Sequence, residues 1–196
     1  MGRHRKYDIG DILDKGVELL RRQGYHHTSL DDILMTSGLP KGSFYGSFKS
    51  KEDFGVRVLD RYVEITVSMM RKHTENSKET SPLKRLYSFY EEIIAFFVAE
   101  GCVYGCLLNN LSLELAGYND SFRDAIEQGH RTFIDTLSPS VAKAQEQGEM
   151  KTFLPARDMA FYIHTNFDGA IVKMKGVRDR YPLDLFLNTT FRLIET

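Results

Sequence analysis

The sequence predicts an all-α protein of about nine helices, with a small N-terminal head and a larger helical body. Apolar residues recur at helical spacing along the whole chain of 196 residues. Glycines, prolines and short polar stretches interrupt that spacing where helices would end. Nothing alternates with a period of two over any length, so we expect no sheet.

The first predicted helix runs from about Tyr7 to Gly24. Its apolar residues recur at helical spacing, and Gly24 suits the position just past a helix end. Arg21 and Arg22 near its end complement the helix dipole. Before it lies a short basic arm, residues 3–6, which is either a solvated terminus or an arm that touches phosphate or the minor groove.

Residues 28–54 predict two short helices joined by a tight turn. Thr28 or Ser29 is a suitable N-cap for the first of them. Gly38 then stands where that helix must stop. The second helix, about residues 41–48, keeps two phenylalanines for the core, and its other positions are small, polar or basic. A major groove about 12 Å wide can admit such a helix, although a helical hairpin without a nucleic-acid role has the same periodicity.

The residue types in this segment favour the DNA-binding interpretation over a helical hairpin without a nucleic-acid role. Two stretches, Thr28-Ser29-Leu30-x-x-Ile33 and Ser37-Gly38-Leu39-Pro40-Lys41-Gly42-Ser43-Phe44-Tyr45-x-x-Phe48-Lys49-Ser50-Lys51-Glu52, together resemble the N-terminal signature of the TetR/AcrR family of bacterial repressors. The resemblance implies a three-helix DNA-binding head on a ligand-binding body, working as a homodimer on double-stranded, pseudo-palindromic operator DNA and released by a small-molecule inducer. The DNA-binding candidates that it implies are Thr28, Ser29, Pro40, Lys41, Gly42, Ser43, Tyr45, Ser47, Lys49 and Lys51.

Several of these candidates also have a local rationale. Lys41 can reach a phosphate or a guanine edge, Ser43 a base edge, and Tyr45 a phosphate. The chain departs from the family at Gly46 and Ser47, where an aromatic residue and then His or Tyr are usual, so two potential contacts to the DNA backbone disappear. This departure supports an alternative, a small-molecule-binding helical protein whose head has weakened or lost DNA binding.

The rest of the chain predicts a linking helix and the body. Ser50 caps a long helix over residues 51–73 that joins the head, residues 1–50, to a body of residues 74–196. Body helices are expected near 82–99, 106–116, 121–148 with a kink at Pro139, 155–175 and 182–194. The resemblance implies that the last two form the dimer interface. The residues that these helices carry for it are Ala160, Ile163, Phe167, Ala170, Ile171, Leu183, Phe186, Leu187, Thr190 and Ile194.

Cys106 is a candidate sensor. Tyr104-Gly105-Cys106-Leu107-x-x-x-Leu111-Ser112-x-Glu114 resembles a segment in a branch of the family that includes electrophile- and oxidant-responsive repressors. A helix N-terminus favours a thiolate and lowers the pKa of a cysteine, and the branch can carry a lysine near the thiol, here Lys175. The alternative is a buried, inert cysteine that packs as a small apolar residue.

The body also suggests a pocket for an apolar or electrophilic inducer. The residues that could line this pocket have either a large apolar side chain or a polar group that could bind the ligand. The alternative is that each of them is an ordinary residue of the hydrophobic core. They are Phe97, Leu108, Phe133, His164 and Phe167, with Phe89, Tyr90, Phe96, Leu111, Phe161 and Tyr162 around them.

Composition limits the function classes. The net charge is −1, but residues 1–61 hold eleven Lys or Arg against nine Asp or Glu, an excess with the right sign for a head that meets phosphate. Two cysteines four apart and no long apolar run predict a cytoplasmic protein with no membrane span. No metal-ligand cluster, cofactor motif or catalytic constellation is readable, so an all-α enzyme is disfavoured and no cofactor is expected.

Overall fold

The computed structural model describes residues 7–75 and 78–196, and these residues form nine α-helices. The predicted all-α fold is confirmed, and the only strand-like pairing among them is an isolated bridge between Met150 and Glu195. The basic arm of residues 3–6 lies outside the described residues. The helices are α1 (Ile9–Gln23), α2 (Leu30–Ser37), α3 (Lys41–Ser47), α4 (Lys51–Thr74), α5 (Pro82–Ala99), α6 (Leu107–Leu115), α7 (Asp120–Glu146), α8 (Ala156–Val177) and α9 (Tyr181–Ile194).

The helix ends follow their predicted capping residues closely. Ser29 caps α2 through a reciprocal capping box with Asp32, and Gly38 ends that helix with a left-handed φ of 71°. Ser50 caps α4 by accepting a hydrogen bond from the backbone of Asp53 at 3.1 Å. The helix α7 is continuous through Pro139.

The head packs around three phenylalanines. Phe44 and Phe48 of the α3 region lie 5.2 Å apart between ring centroids, and Phe54 of α4 lies 5.1 Å from Phe48. Gly16 of α1 permits close approach of α4, since a Cβ there would stand 2.5 Å from a methyl group of Val58. The first turns of α4 therefore belong to the head core, and α4 continues without a break into the body.

The body is built around α7, which packs against α4, α5, α6 and α8, while α9 packs against α8 and α5. The prediction for the dimer interface is wrong in its choice of face. The apolar residues of α8 and α9 assigned to it are buried inside the protomer, because the same side chains complete the aromatic core. Other large side chains on these helices are exposed: Phe161, Tyr162, Val172, Val177, Tyr181, Leu185 and Leu193.

Within residues 7–75 and 78–196, no helix combines the length and the apolar character needed to cross a membrane.

Candidate DNA-binding head and thiol site

Most side chains on the outer face of α3 are small, polar or basic. Lys41, Gly42 and Tyr45 are exposed, while Ser43 is half-buried, and Phe44 on the opposite face is fully buried. The helix is only seven residues long and begins directly after its N-cap, Pro40, whose ring presets the backbone. This short helix therefore turns one apolar face into the head and presents its polar face to solvent.

The residues that flank α3 extend that surface. Pro40 and Lys49 are exposed, and Ser47 is half-buried. The carbonyl of Ser47 accepts a hydrogen bond of 2.9 Å from Arg57 of α4, whose guanidinium also lies 4.7 Å from the centroid of the Phe48 ring. Arg57 thus fixes the end of α3. The sequence carried no signal for this role, because the two residues are ten positions apart on different helices.

The side chains of Thr28 and Ser29 make hydrogen bonds within the head. The Thr28 side chain is fully buried and donates a hydrogen bond of 2.6 Å to the Gly24 carbonyl. This corrects the prediction that the Thr28 side chain contacts DNA, because it is enclosed where α1 joins α2. Ser29 is exposed, and its hydroxyl lies 2.6 Å from the Asp32 carboxylate in the capping box.

Lys51 also has an internal partner. Its ammonium donates a hydrogen bond of 2.8 Å to the Tyr25 carbonyl and lies 4.1 Å from the centroid of the Tyr25 ring. Partial burial lowers the pKa of Lys51. In this conformation Lys51 joins the start of α4 to the connector between α1 and α2, and it is not free to point at a phosphate.

Cys106 lies at the N-terminus of α6, as predicted, where it is the N-cap, but its pKa is shifted in the opposite direction from the one expected. The thiol is buried, and burial raises its pKa to about 11. The backbone N–H groups of Leu108 and Asn109 favour the thiolate and only partly oppose that effect. The predicted lowering of the pKa is therefore wrong for this conformation.

Two other residues complete the surroundings of the thiol. The Tyr62 hydroxyl of α4 donates a hydrogen bond to Cys106 Sγ at 3.3 Å. Lys175 turns away and donates one of 3.0 Å to Asn110 of α6, within a cleft of about 440 Å³ between α1, α6 and α8. Lys175 is therefore next to the start of α6 with no hydrogen bond to sulfur. Cys102 is a second buried free thiol in the same turn, with a positive φ of 59°.

The predicted pocket residues are packed into a core. Phe97, Leu108, Phe133, His164 and Phe167 are all buried. The correction has a physical reason, since the aromatic rings fill the space between α5, α7, α8 and α9 by contacting one another. Two of the surrounding candidates, Phe161 and Tyr162, lie on the outside of α8.

His164 is the polar centre of that core. Its Nδ1 lies 3.4 Å from the Tyr90 hydroxyl, and its Nε2 lies 4.0 Å from Asp168, which accepts a hydrogen bond from Asn109. Burial lowers the pKa of His164 despite the nearby carboxylate. The residue is therefore neutral near pH 7. Across the described residues, no group of three or more His, Cys, Asp or Glu is arranged to hold a metal ion.

Arg21 stands in the last turn of α1, where it complements the helix dipole, and it also connects the head to the body. Its guanidinium makes two hydrogen bonds to Glu100, at 3.2 and 2.6 Å, and a third to the Gly105 carbonyl at 3.3 Å. Arg21 is buried, and its guanidinium lies 4.9 and 5.9 Å from the ring centroids of Phe96 and Phe97. The head is therefore anchored to the turn between α5 and α6.

The fold and this surface define a helix-turn-helix DNA-binding regulator, in which a small head is carried on a larger helical body. The N-terminal part, residues 12–56, matches the family model for bacterial regulatory proteins of the tetR family. Residues 82–190 match the model for the tetracyclin repressor-like C-terminal domain. The chain belongs to the TetR family of transcriptional regulators, and the predicted family is confirmed.

Similar proteins agree with this assignment over nearly the whole chain. The HTH-type transcriptional repressor DhaR of Mycobacterium sp. (strain GP1) is 29% identical over 183 residues, covering 93% of this chain and 90% of its own. The HTH-type transcriptional repressor NemR of Escherichia coli K12 is 29% identical over 199 residues, covering 100% and 98%. The crystal structure of E. coli NemR in its reduced form has a TM-score of 0.86 at 27% identity, covering 95% of both chains.

Proposed function

We propose that the protein is a homodimeric cytoplasmic repressor that holds a pseudo-palindromic operator and is released when Cys106 is modified or a small molecule binds the body. The observation that carries the DNA-binding part is the polar face of α3. A capping box, a glycine turn and Arg57 hold that face toward solvent. Its exposed lysines supply phosphate contacts, and its small side chains permit close approach to base edges.

A dimer is supported by the outer faces of α8 and α9. Seven large apolar or aromatic side chains are exposed on these two helices, a density typical of interfaces and unusual for a solvated surface. Two such helices from each protomer form a four-helix contact with two-fold symmetry. That symmetry sets the distance between the two copies of α3, and so the spacing of the operator half-sites. The division into a head of residues 1–50, a linking helix 51–73 and a body 74–196 is part of the same proposal.

Release through Cys106 is supported by the packing around the thiol. A group added to a buried sulfur at the start of α6 has no free space, so Tyr62 or α6 must move. Modification therefore favours a second conformation of the body. Affinity for DNA falls because the operator binds the unmodified conformation more tightly than this second one. The similar NemR has been solved in a form named as reduced, which suits a protein with thiol chemistry.

A gel-shift titration on DNA upstream of the gene tests this function. Wild type should bind with strong salt dependence, Lys41→Ala and Tyr45→Phe should weaken binding, and Lys143→Ala on the far side of the body should not. A thiol-reactive electrophile should release wild type and Cys102→Ser, and should leave Cys106→Ser bound. Absence of salt-dependent binding in wild type would refute the repressor and favour the alternative, a ligand-binding protein whose head no longer holds DNA, which Gly46 motivates.

A further inference from the structure

The connector between α1 and α2 is held by a carboxylate from the body. Glu114 of α6 accepts a hydrogen bond from the backbone N–H of Tyr25 at 3.0 Å and another from that of His26 at 2.5 Å. These donors have no helical partner, because they lie between the end of α1 and the cap of α2. One side chain of the body therefore fixes two consecutive peptide groups of the head.

The same connector is held from its other side. The Tyr25 carbonyl accepts the hydrogen bond from Lys51 of α4, and the Tyr25 ring packs edge-on against Phe122 of α7 at 4.8 Å. A Cβ on Gly55 would stand 2.9 Å from the Tyr25 ring, so α4 passes directly under it. The His26 ring nitrogen lies 2.6 Å from the Tyr118 hydroxyl just beyond α6. The connector is thus docked on three helices at once.

The other end of α6 is tied to the head as well. Arg21 of α1 bonds Glu100 and the Gly105 carbonyl, and the next residue is Cys106, the N-cap of α6. The helix between the two attachment points has nine residues. A continuous hydrogen-bonded helix of this length moves as a rigid piece, so a displacement at its start is carried to its end.

We propose that Glu114 is a positioning residue for DNA binding: it fixes the orientation of the head on the body and transmits movement of α6 at Cys106 to the start of α2. The transmission part rests on the proposed function of Cys106. The positioning part does not, because it depends only on the two hydrogen bonds to the connector. Without the carboxylate, both peptide N–H groups lose their partner, and the connector loses its two backbone hydrogen bonds to α6.

The experiment compares Glu114→Ala and Glu114→Gln with Glu127→Ala, which removes an exposed carboxylate of α7. Amide hydrogen exchange is measured at Tyr25 and His26, and operator affinity with and without the electrophile. Glu114→Ala should accelerate exchange at these two amides by about tenfold or more, with exchange in α7 and α8 unchanged. Glu114→Gln, which keeps one acceptor oxygen, should lie between, and Glu127→Ala should match wild type.

The affinity measurement tests transmission. The ratio of operator Kd with the electrophile to Kd without it should fall toward one in Glu114→Ala and stay at the wild-type value in Glu127→Ala. Unchanged exchange at Tyr25 and His26 in Glu114→Ala would overturn the positioning role, and an unchanged affinity ratio would overturn transmission. A wild-type affinity that ignores the electrophile would overturn thiol sensing and transmission together, while the exchange result would still decide the positioning role.

Discussion

The hydroxyl of Tyr62 on α4 donates a hydrogen bond to the sulfur of Cys106, at 3.3 Å, at the point where α6 begins. Burial raises the pKa of both groups, so both are protonated at neutral pH. The thiol is therefore shielded in this conformation. Chemistry at Cys106 requires either a local opening or a displacement of α4 from α6, and this requirement couples modification to conformation.

The first prediction concerns the reactivity of that thiol. With a pKa of about 11, Cys106 in a Cys102→Ser background should react with iodoacetamide roughly 100-fold more slowly at pH 7.5 than in the unfolded chain. Since only the thiolate reacts, the rate should rise about tenfold per pH unit until near pH 11. Mass spectrometry against time measures it. A rate that is already level between pH 7 and 8 would show an activated thiolate and contradict the structure.

The second prediction compares two glycines. Gly16→Ala should lower the free energy of unfolding by about 1–3 kcal/mol, because the new methyl group meets Val58 and Phe54 at 2.5 and 2.8 Å. Gly46→Ala in α3 meets no atom within 4 Å and should raise that free energy by up to about 1 kcal/mol. Urea unfolding followed by circular dichroism measures both, and equal effects would contradict the packing of α1 against α4.

The third prediction separates two lysines near α3. Lys49→Gln should leave unfolding unchanged and reduce the slope of log K against log salt for operator binding by about 1, because the side chain is exposed. Lys51→Gln should instead lower the free energy of unfolding by about 1–2 kcal/mol, because the Tyr25 carbonyl loses a charged donor. If Lys51→Gln proves as stable as wild type, its internal hydrogen bond contributes nothing.

The fourth prediction addresses the dimer. Val172→Glu and Leu185→Arg place charges on exposed positions of α8 and α9, 46% and 49% exposed in the protomer. Each should convert a dimer to a monomer and reduce operator binding sharply, since two heads no longer bind together. Leu113→Arg, at an exposed position of α6, is the matched control. Sedimentation analysis decides the assembly state, and dimers that survive both substitutions would place the interface elsewhere.

The fifth prediction follows from His164. Its pKa is lowered in the folded protein by burial, opposed by Asp168 and reinforced by His130. Below about pH 6.5 the unfolded chain binds a proton at this residue while the folded chain does not, so stability falls as the pH falls. Wild type should therefore lose stability faster than His164→Gln between pH 7 and 5, by at most about 1.4 kcal/mol per pH unit. Parallel stability curves would contradict the lowered pKa, because they would show that His164 has the same pKa in the folded and unfolded states.

Sequence reasoning was most successful where the cause is local. Ser29, Gly38 and Ser50 act within three or four residues of themselves, so the helix-turn-helix and the start of α4 could be predicted from side-chain capping and glycine conformation. The exposed residues of α3 follow from the same local geometry. Thr28 shows the limit, because its position matched the family pattern while its burial depends on how α1 and α2 meet.

The remaining features depend on contacts between distant parts of the chain. Glu114 and Tyr25 are 89 positions apart, Arg21 and Glu100 are 79 apart, and no periodicity connects either pair. Which face of α8 is buried depends on how the helices of the body pack together. The same packing decides that the aromatic residues form a core and do not line a pocket.

The sequence by itself determined the helices of the described residues, the family and the small, polar, exposed face of α3, because capping, helical period and small polar side chains act over a few residues. Tertiary structure alone decided the pKa of Cys106, the hydrogen bond from Lys51 to the Tyr25 carbonyl and the hydrogen bonds from the connector to Glu114. Burial and hydrogen bonding at those three sites are set by helices that meet only when the chain folds.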